Sequence, residues 1–113
     1  MLIYKIADGA AWRTALAAGA YAGSADDLRD GFVHLSAAHQ VAGTLAKHFA
    51  GRADLVIAAV ETDRLGDTLK WEVSRGGDKF PHLYEPLPVI AVAWWRPLPL
   101  GGDGAHVLPP EFE

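Results

Sequence analysis

Leu55–Val60 is six apolar residues in a row, with no polar position among them. An unbroken run of that length fits a strand covered on both faces. Val89–Trp95 has the same character and predicts a second buried strand, ended by Pro97 and Pro99. Leu2–Ala7, rich in Leu, Ile and Tyr, predicts an opening strand. Asp8 is suited to cap a following helix and Gly19 to stop it, with Trp12, Ala15 and Leu16 on one face between them. Phe32–Leu35 predicts a short strand. Ser36 then reads as the N-cap of a second helix reaching Phe49, because Ala38, Val41, Ala42, Leu45 and Phe49 fall at helical spacing. Gly51 closes that helix.

Leu69–Ser74 alternates, with Leu69, Trp71 and Val73 on one side and Lys70, Glu72 and Ser74 on the other. Tyr21–Gly31 is polar and rich in Gly, Ser and Asp, which predicts a loop. Arg75–Asp78 reads as a turn, Phe80–Pro88 with its three prolines as irregular chain, and the segment from Gly101 onward as loop. Helices early and strands late predict one α+β domain over residues 1–113, with two N-terminal helices.

Composition narrows the chemistry. Half of the 113 residues are hydrophobic, enough for a real core and contrary to disorder. A formal net charge of −4 speaks against a duplex-DNA surface. There is no cysteine, so disulfides, thiolate metal sites and a thiol nucleophile are excluded, which fits a reducing compartment. The start, MLIYKIADGAAW, lacks the basic and long apolar regions of a signal peptide, and no apolar run approaches the ~20 residues a membrane helix needs. The expectation is a bacterial cytoplasmic protein. No HExxH, GxSxG, P-loop or GxGxxG pattern occurs, and the His residues show no metal-ligand pairing, so no metal is expected.

What remains is a polar vocabulary that folding alone does not require. His34, at a strand end before a helix start, could donate to a ribose hydroxyl or phosphate, or simply bond a backbone carbonyl. Lys70 and Glu72 share a strand face. Glu72 is either a base or charge stabiliser, or half of a surface ion pair. His82 and Tyr84 in FPHLY either line a ligand site or belong to a proline-stiffened core cap. Ser74-Arg75-Gly76-Gly77 is a phosphate cradle or a plain hairpin turn. Trp94-Trp95 covers two sides of a sheet, or serves a protein-interaction surface.

IYKIA, GSADDLRDGFVHLS, HFAG, LKWEVSRGG and FPHLYEPLP, in this order, resemble the bacterial domain of unknown function 952 family over nearly the whole chain. That family is similar in fold to the ADP-ribosyltransferase superfamily. The resemblance implies a split mixed β-sheet whose cleft binds NAD in characterised relatives. FVHLS is similar to a segment of the NAD-using RNA 2′-phosphotransferases. Many superfamily members carry a ribose-holding His on the first strand. Here that strand reads Ile3-Tyr4-Lys5-Ile6-Ala7, so His34 takes that role or the domain binds another nucleotide. The implied catalytic residues are Glu72 and His34. The implied ligand-binding set is Tyr4, Lys5, Ser36, Lys70, Arg75, His82 and Tyr84, with Tyr84 or Tyr4 stacking on nicotinamide and Arg75 holding phosphates. The expected activity is NAD-dependent ADP-ribosyl or phosphoryl transfer or ADP-ribose hydrolysis. The alternative is a non-catalytic module binding a nucleotide or another small acidic metabolite.

Overall fold

The computed structural model describes residues 1–112, apart from the side chain of Arg75. The chain runs β1 (Leu2–Asp8), α1 (Gly9–Ala18), β2 (Ala20–Tyr21), α2 (Ala25–Asp30), β3 (Val33–His34), β4 (Ser36–Ala37), α3 (Val41–His48), β5 (Leu55–Glu61), β6 (Leu69–Val73), β7 (Lys79–Leu83), β8 (Leu87–Pro88) and β9 (Val92–Leu98). It is an α+β domain. Strands order as β4-β1-β5-β9 in one sheet, β3-β7-β6 in a second and β2-β8 in a small third.

Leu55–Val60 behaves as its pattern predicts. β5 lies between β1 and β9, so both its edges are paired and both its faces are covered. Val56, Ala58 and Val60 pack with Ile3 and Trp12 on one face; Leu55, Ile57 and Ala59 pack with Val41 and Leu45 on the other. Trp95 meets Trp12 on the first face at 6.4 Å between rings, and Trp94 meets Tyr4 on the second at 6.0 Å. Helix α1 starts where Asp8 accepts from the Ala11 amide and stops at Gly19, whose φ of 90° only glycine adopts freely.

The two larger sheets meet and part within residues 33–37. Val33 and His34 pair with Leu83 and His82 of β7, whereas Ser36 and Ala37 pair with Tyr4 and Ile3 of β1. Leu35 sits at the junction and donates its amide to the Pro81 carbonyl at 3.1 Å. One short run of chain therefore belongs to both sheets, and beyond it they diverge.

Several expectations are corrected. All registered strand pairs among the described residues are antiparallel, where a mixed sheet is expected. Helices number three among the described residues, because Ala25–Asp30 is helical within the supposed loop. Ser24 accepts from the Asp27 amide and Asp27 accepts from the Ser24 amide, a reciprocal cap that overrides the polar composition. Ser36 is no cap but a strand residue. The Ala37 amide is instead satisfied by the Gln40 side chain at 2.9 Å, and α3 begins after the turn Ala38–Gln40. Ala38 and Ala42 of the predicted stripe are exposed.

FPHL of the FPHLY stretch lies in a central strand, and Tyr84 follows its end. Pro81 is tolerated because N–H and C=O of a strand residue point the same way, and its carbonyl points at Leu35, where pairing ends. Val89–Ala91 forms a 3-10 turn with Ile90 82% exposed; the strand starts only at Val92 and carries Pro97 on the sheet's edge. Of the predicted apolar side of β6, Leu69 packs against the core, whereas Trp71 and Val73 are exposed.

Candidate functional site: a cleft where the two sheets part

The divergence at Leu35 opens a cleft of about 370 Å³. β1 supplies its floor with Tyr4, Lys5 and Ile6, α2 and α3 form two walls, and Phe80 and His82 of β7 form the third.

Asp27 organises the cleft. Its side chain is 2% exposed. Oδ2 accepts from Lys5 Nζ at 2.9 Å and from the Ser24 amide at 2.9 Å; Oδ1 accepts from the His34 amide at 3.0 Å and lies 2.6 Å from His34 Nδ1. One carboxylate thus joins α2, β1 and β3. Burial pushes the Asp27 carboxyl up, but the His34 bond, the Lys5 ammonium and the Ser24 amide outweigh it and hold it well below the usual range. Burial pulls the Lys5 ammonium down, opposed by Asp27. Lys5 also donates to the His34 carbonyl at 3.0 Å.

His34 is fixed at both nitrogens, with Nε2 2.9 Å from Asp30 Oδ2. On the neighbouring strand His82 is only 5% exposed. Its Nδ1 lies 2.8 Å from Glu72 Oε1, which also accepts from the Tyr84 hydroxyl at 2.6 Å. The bonds from Tyr84 and His82 lower the Glu72 carboxyl, and the same contact raises the Tyr84 phenol. Phe32 stacks on His82 with ring centres 3.9 Å apart and packs against His34 and Tyr84. The imidazoles of His34 and His82 lie 5.8 Å apart, each with Nδ1 set by a carboxylate.

Of the residues singled out by sequence, Tyr4, Lys5, His34, Ser36 and His82 line the cleft. Glu72 and Tyr84 stand behind His82 and connect to the cleft through it. The structure does not bring Lys70 in: it is exposed, and its Nζ donates to the Asp67 carbonyl at 3.3 Å. Tyr4 is 5% exposed and its ring is packed by Phe112 and Trp94, so it is not free to stack on a planar ligand. Ser36 Oγ lies 2.9 Å from Thr44 Oγ1. The side chain of Arg75 lies outside the described structure. Asp27 and Asp30 escaped the sequence reading; the spacing Ser24-x-x-Asp27 marked the cap and so could have found the first. No group of three His, Asp or Glu side chains among the described residues is placed to hold a metal. No described helix is long and apolar enough to cross a membrane.

No curated protein matches the chain. Among solved structures, the crystal structure of protein CC0527 from Caulobacter crescentus is similar over 96% of this chain and 95% of that one, at 54% identity and a TM-score of 0.91. A double mutant of CC0527 gives 53% identity over the same shares and a TM-score of 0.90. The solution structure of CC0527 gives 55% identity, 92% and 90% coverage and a TM-score of 0.82. The family model described as protein of unknown function (DUF952) matches residues 6–95, which hold Ile6 of the cleft's floor, both helical walls and the two histidines, and the chain belongs to that family.

Proposed function

We propose that the cleft binds a ribose-bearing nucleotide of the ADP-ribose type, NAD included, and that it does so as a binding module. The observation that carries this reading is the pair of imidazoles 5.8 Å apart, each oriented through Nδ1 by its own carboxylate. Sugar hydroxyls both donate and accept, and at His34 a hydroxyl would exchange with Asp30 at Nε2, where the imidazole and the carboxylate together meet both needs. Side chains fixed before the ligand arrives lower the ordering cost of binding. The resemblance of FVHLS to NAD-using phosphotransferases supports the nucleotide class.

Binding is favoured over turnover by the place of Glu72. Breaking a nicotinamide–ribose bond develops positive charge on the sugar, which a catalytic carboxylate must face directly. Glu72 is bonded to His82 and Tyr84, and it is His82 that lines the cleft. The test is calorimetric titration with ADP-ribose and NAD, run beside an assay for nicotinamide release. Saturable binding without release is the expected result. Release of nicotinamide would instead make the protein a transferase or hydrolase, and absence of binding by both nucleotides would refute the reading.

A further inference from the structure

The cleft does not end at Lys5. A second lobe of about 390 Å³ continues past it toward the start of α1, and the two lobes share Lys5, Ile6, Ser24, Asp26, His48 and Phe49. The lobes differ in how their cations are engaged. In the first, Lys5 is paired with Asp27, and Arg29 with Asp26 and Asp30. In the second, Arg52 has no carboxylate partner among the described residues.

Arg52 is also held in place. Its amide donates to the Phe49 carbonyl at 2.9 Å, and His106 Nε2 lies 2.8 Å from its own carbonyl oxygen. Its guanidinium lies 5.3 Å from the centre of the Phe49 ring, on the wall shared by both lobes. A cation with a pinned backbone and a stacked head is preorganised for a bidentate contact, the geometry guanidinium offers to phosphate. Two acids border the lobe, but both are engaged. Asp8 caps α1 through the Ala11 amide, and Asp26 is bonded to Arg29.

We infer that the second lobe is the phosphate subsite of the cleft, with Arg52 as its anchor. This rests on the nucleotide reading: ribose hydroxyls sit in the first lobe at His34 and His82, and the phosphates of the same ligand reach Arg52. The ligand class is then a phosphorylated nucleoside rather than a free nucleoside or sugar.

Arg52→Gln tests it, because glutamine keeps a polar side chain at an exposed position and removes the guanidinium with its charge. ADP-ribose should bind this variant about tenfold more weakly than the wild type, while adenosine binds both alike. Pyrophosphate alone, followed by amide NMR, should move the signals of Phe49 to Arg52 in the wild type and leave them in place in Arg52→Gln. An ADP-ribose affinity unchanged by Arg52→Gln overturns the subsite while leaving the nucleotide reading intact. Pyrophosphate shifts at Arg52 without any ADP-ribose binding leave the subsite standing and overturn the nucleotide reading. Pyrophosphate that moves no signal near Arg52 overturns the subsite.

Discussion

Asp27→Leu removes the carboxylate on which three elements converge. The largest loss is at Lys5. That side chain is 5% exposed, so without Asp27 its ammonium keeps the His34 carbonyl and the face of the Tyr21 ring but no counter-charge, and stays shut away from water. Breaking a buried pair from one side costs ~3–5 kcal/mol. Loss of the reciprocal cap on α2 adds about 1 kcal/mol. Together the expected destabilisation is ~4–6 kcal/mol, a large share of the ~5–15 kcal/mol that holds a domain of this size. Urea unfolding followed by tryptophan fluorescence measures it.

The companion variant is Lys5→Met with Asp27→Leu. Removing both charges eliminates the unpaired ammonium, so the double variant should be more stable than Asp27→Leu and fall short of wild type by about the cap. A loss under ~2 kcal/mol in Asp27→Leu, or a double variant no more stable than the single one, would refute the argument. Acid provides an independent check. The Asp27 carboxyl is held below its ordinary value of 3.8 in the fold. Its stabilisation is therefore complete above that value and is lost as pH falls toward the lower folded value. Wild type should lose stability below about pH 4 more steeply than Asp27→Leu.

His82→Ala removes a buried ring that stacks on Phe32, so it should cost ~2–4 kcal/mol as well as any ligand affinity, contrary to the small stability loss expected of a solvent-lined residue. Leu83→Ala, at 0% exposure on the opposite face of β7, should cost ~2–5 kcal/mol and leave nucleotide binding alone; urea unfolding and calorimetry on both variants compare them. Glu72→Gln takes away the charged acceptor that raises the Tyr84 phenol, so ultraviolet titration should show Tyr84 ionising at lower pH than in wild type; an unchanged curve would show that the contact does not persist in solution. Gly23→Ala should cost ~1–3 kcal/mol by thermal melt, because φ there is 121° and an added Cβ would lie 2.8 Å from Asp27 Cβ.

Elements were legible where local pattern and tertiary need agree. β5 could be read from six residues because a strand paired on both edges between two cores has no polar position to offer. α1 could be read because Asp8, Trp12, Ala15 and Gly19 are all local signals. α2 was lost because its Gly, Ser and Asp content resembles a loop, although the same Ser24 and Asp27 form its cap. β7 was lost because three prolines argue against a strand, and only the neighbouring strands reveal that the missing Pro81 donor falls where the ladder ends. The site divides the same way. His34, His82, Glu72 and Tyr84 stood out by residue type and do form one network. Asp27 did not, because its role depends on Lys5, 22 positions away, and on a pairing between strands that no local window contains.

That dependence explains why Tyr21–Gly31 looks polar without being a loop. A six-residue helix buries little apolar surface, and Leu28 on it is 68% exposed, so hydrophobic packing does not hold α2 in place. Its anchor is the carboxylate of Asp27, which turns inward past the cap to meet Lys5 and His34. The same bond that seats the helix sets the imidazole facing the cleft, so the shape of that wall and the orientation of His34 form together or not at all. Because Asp30 also lies on α2, a helix that lost its Asp27 anchor would take both carboxylates from His34, and the cleft would lose its wall and its oriented imidazole in one step.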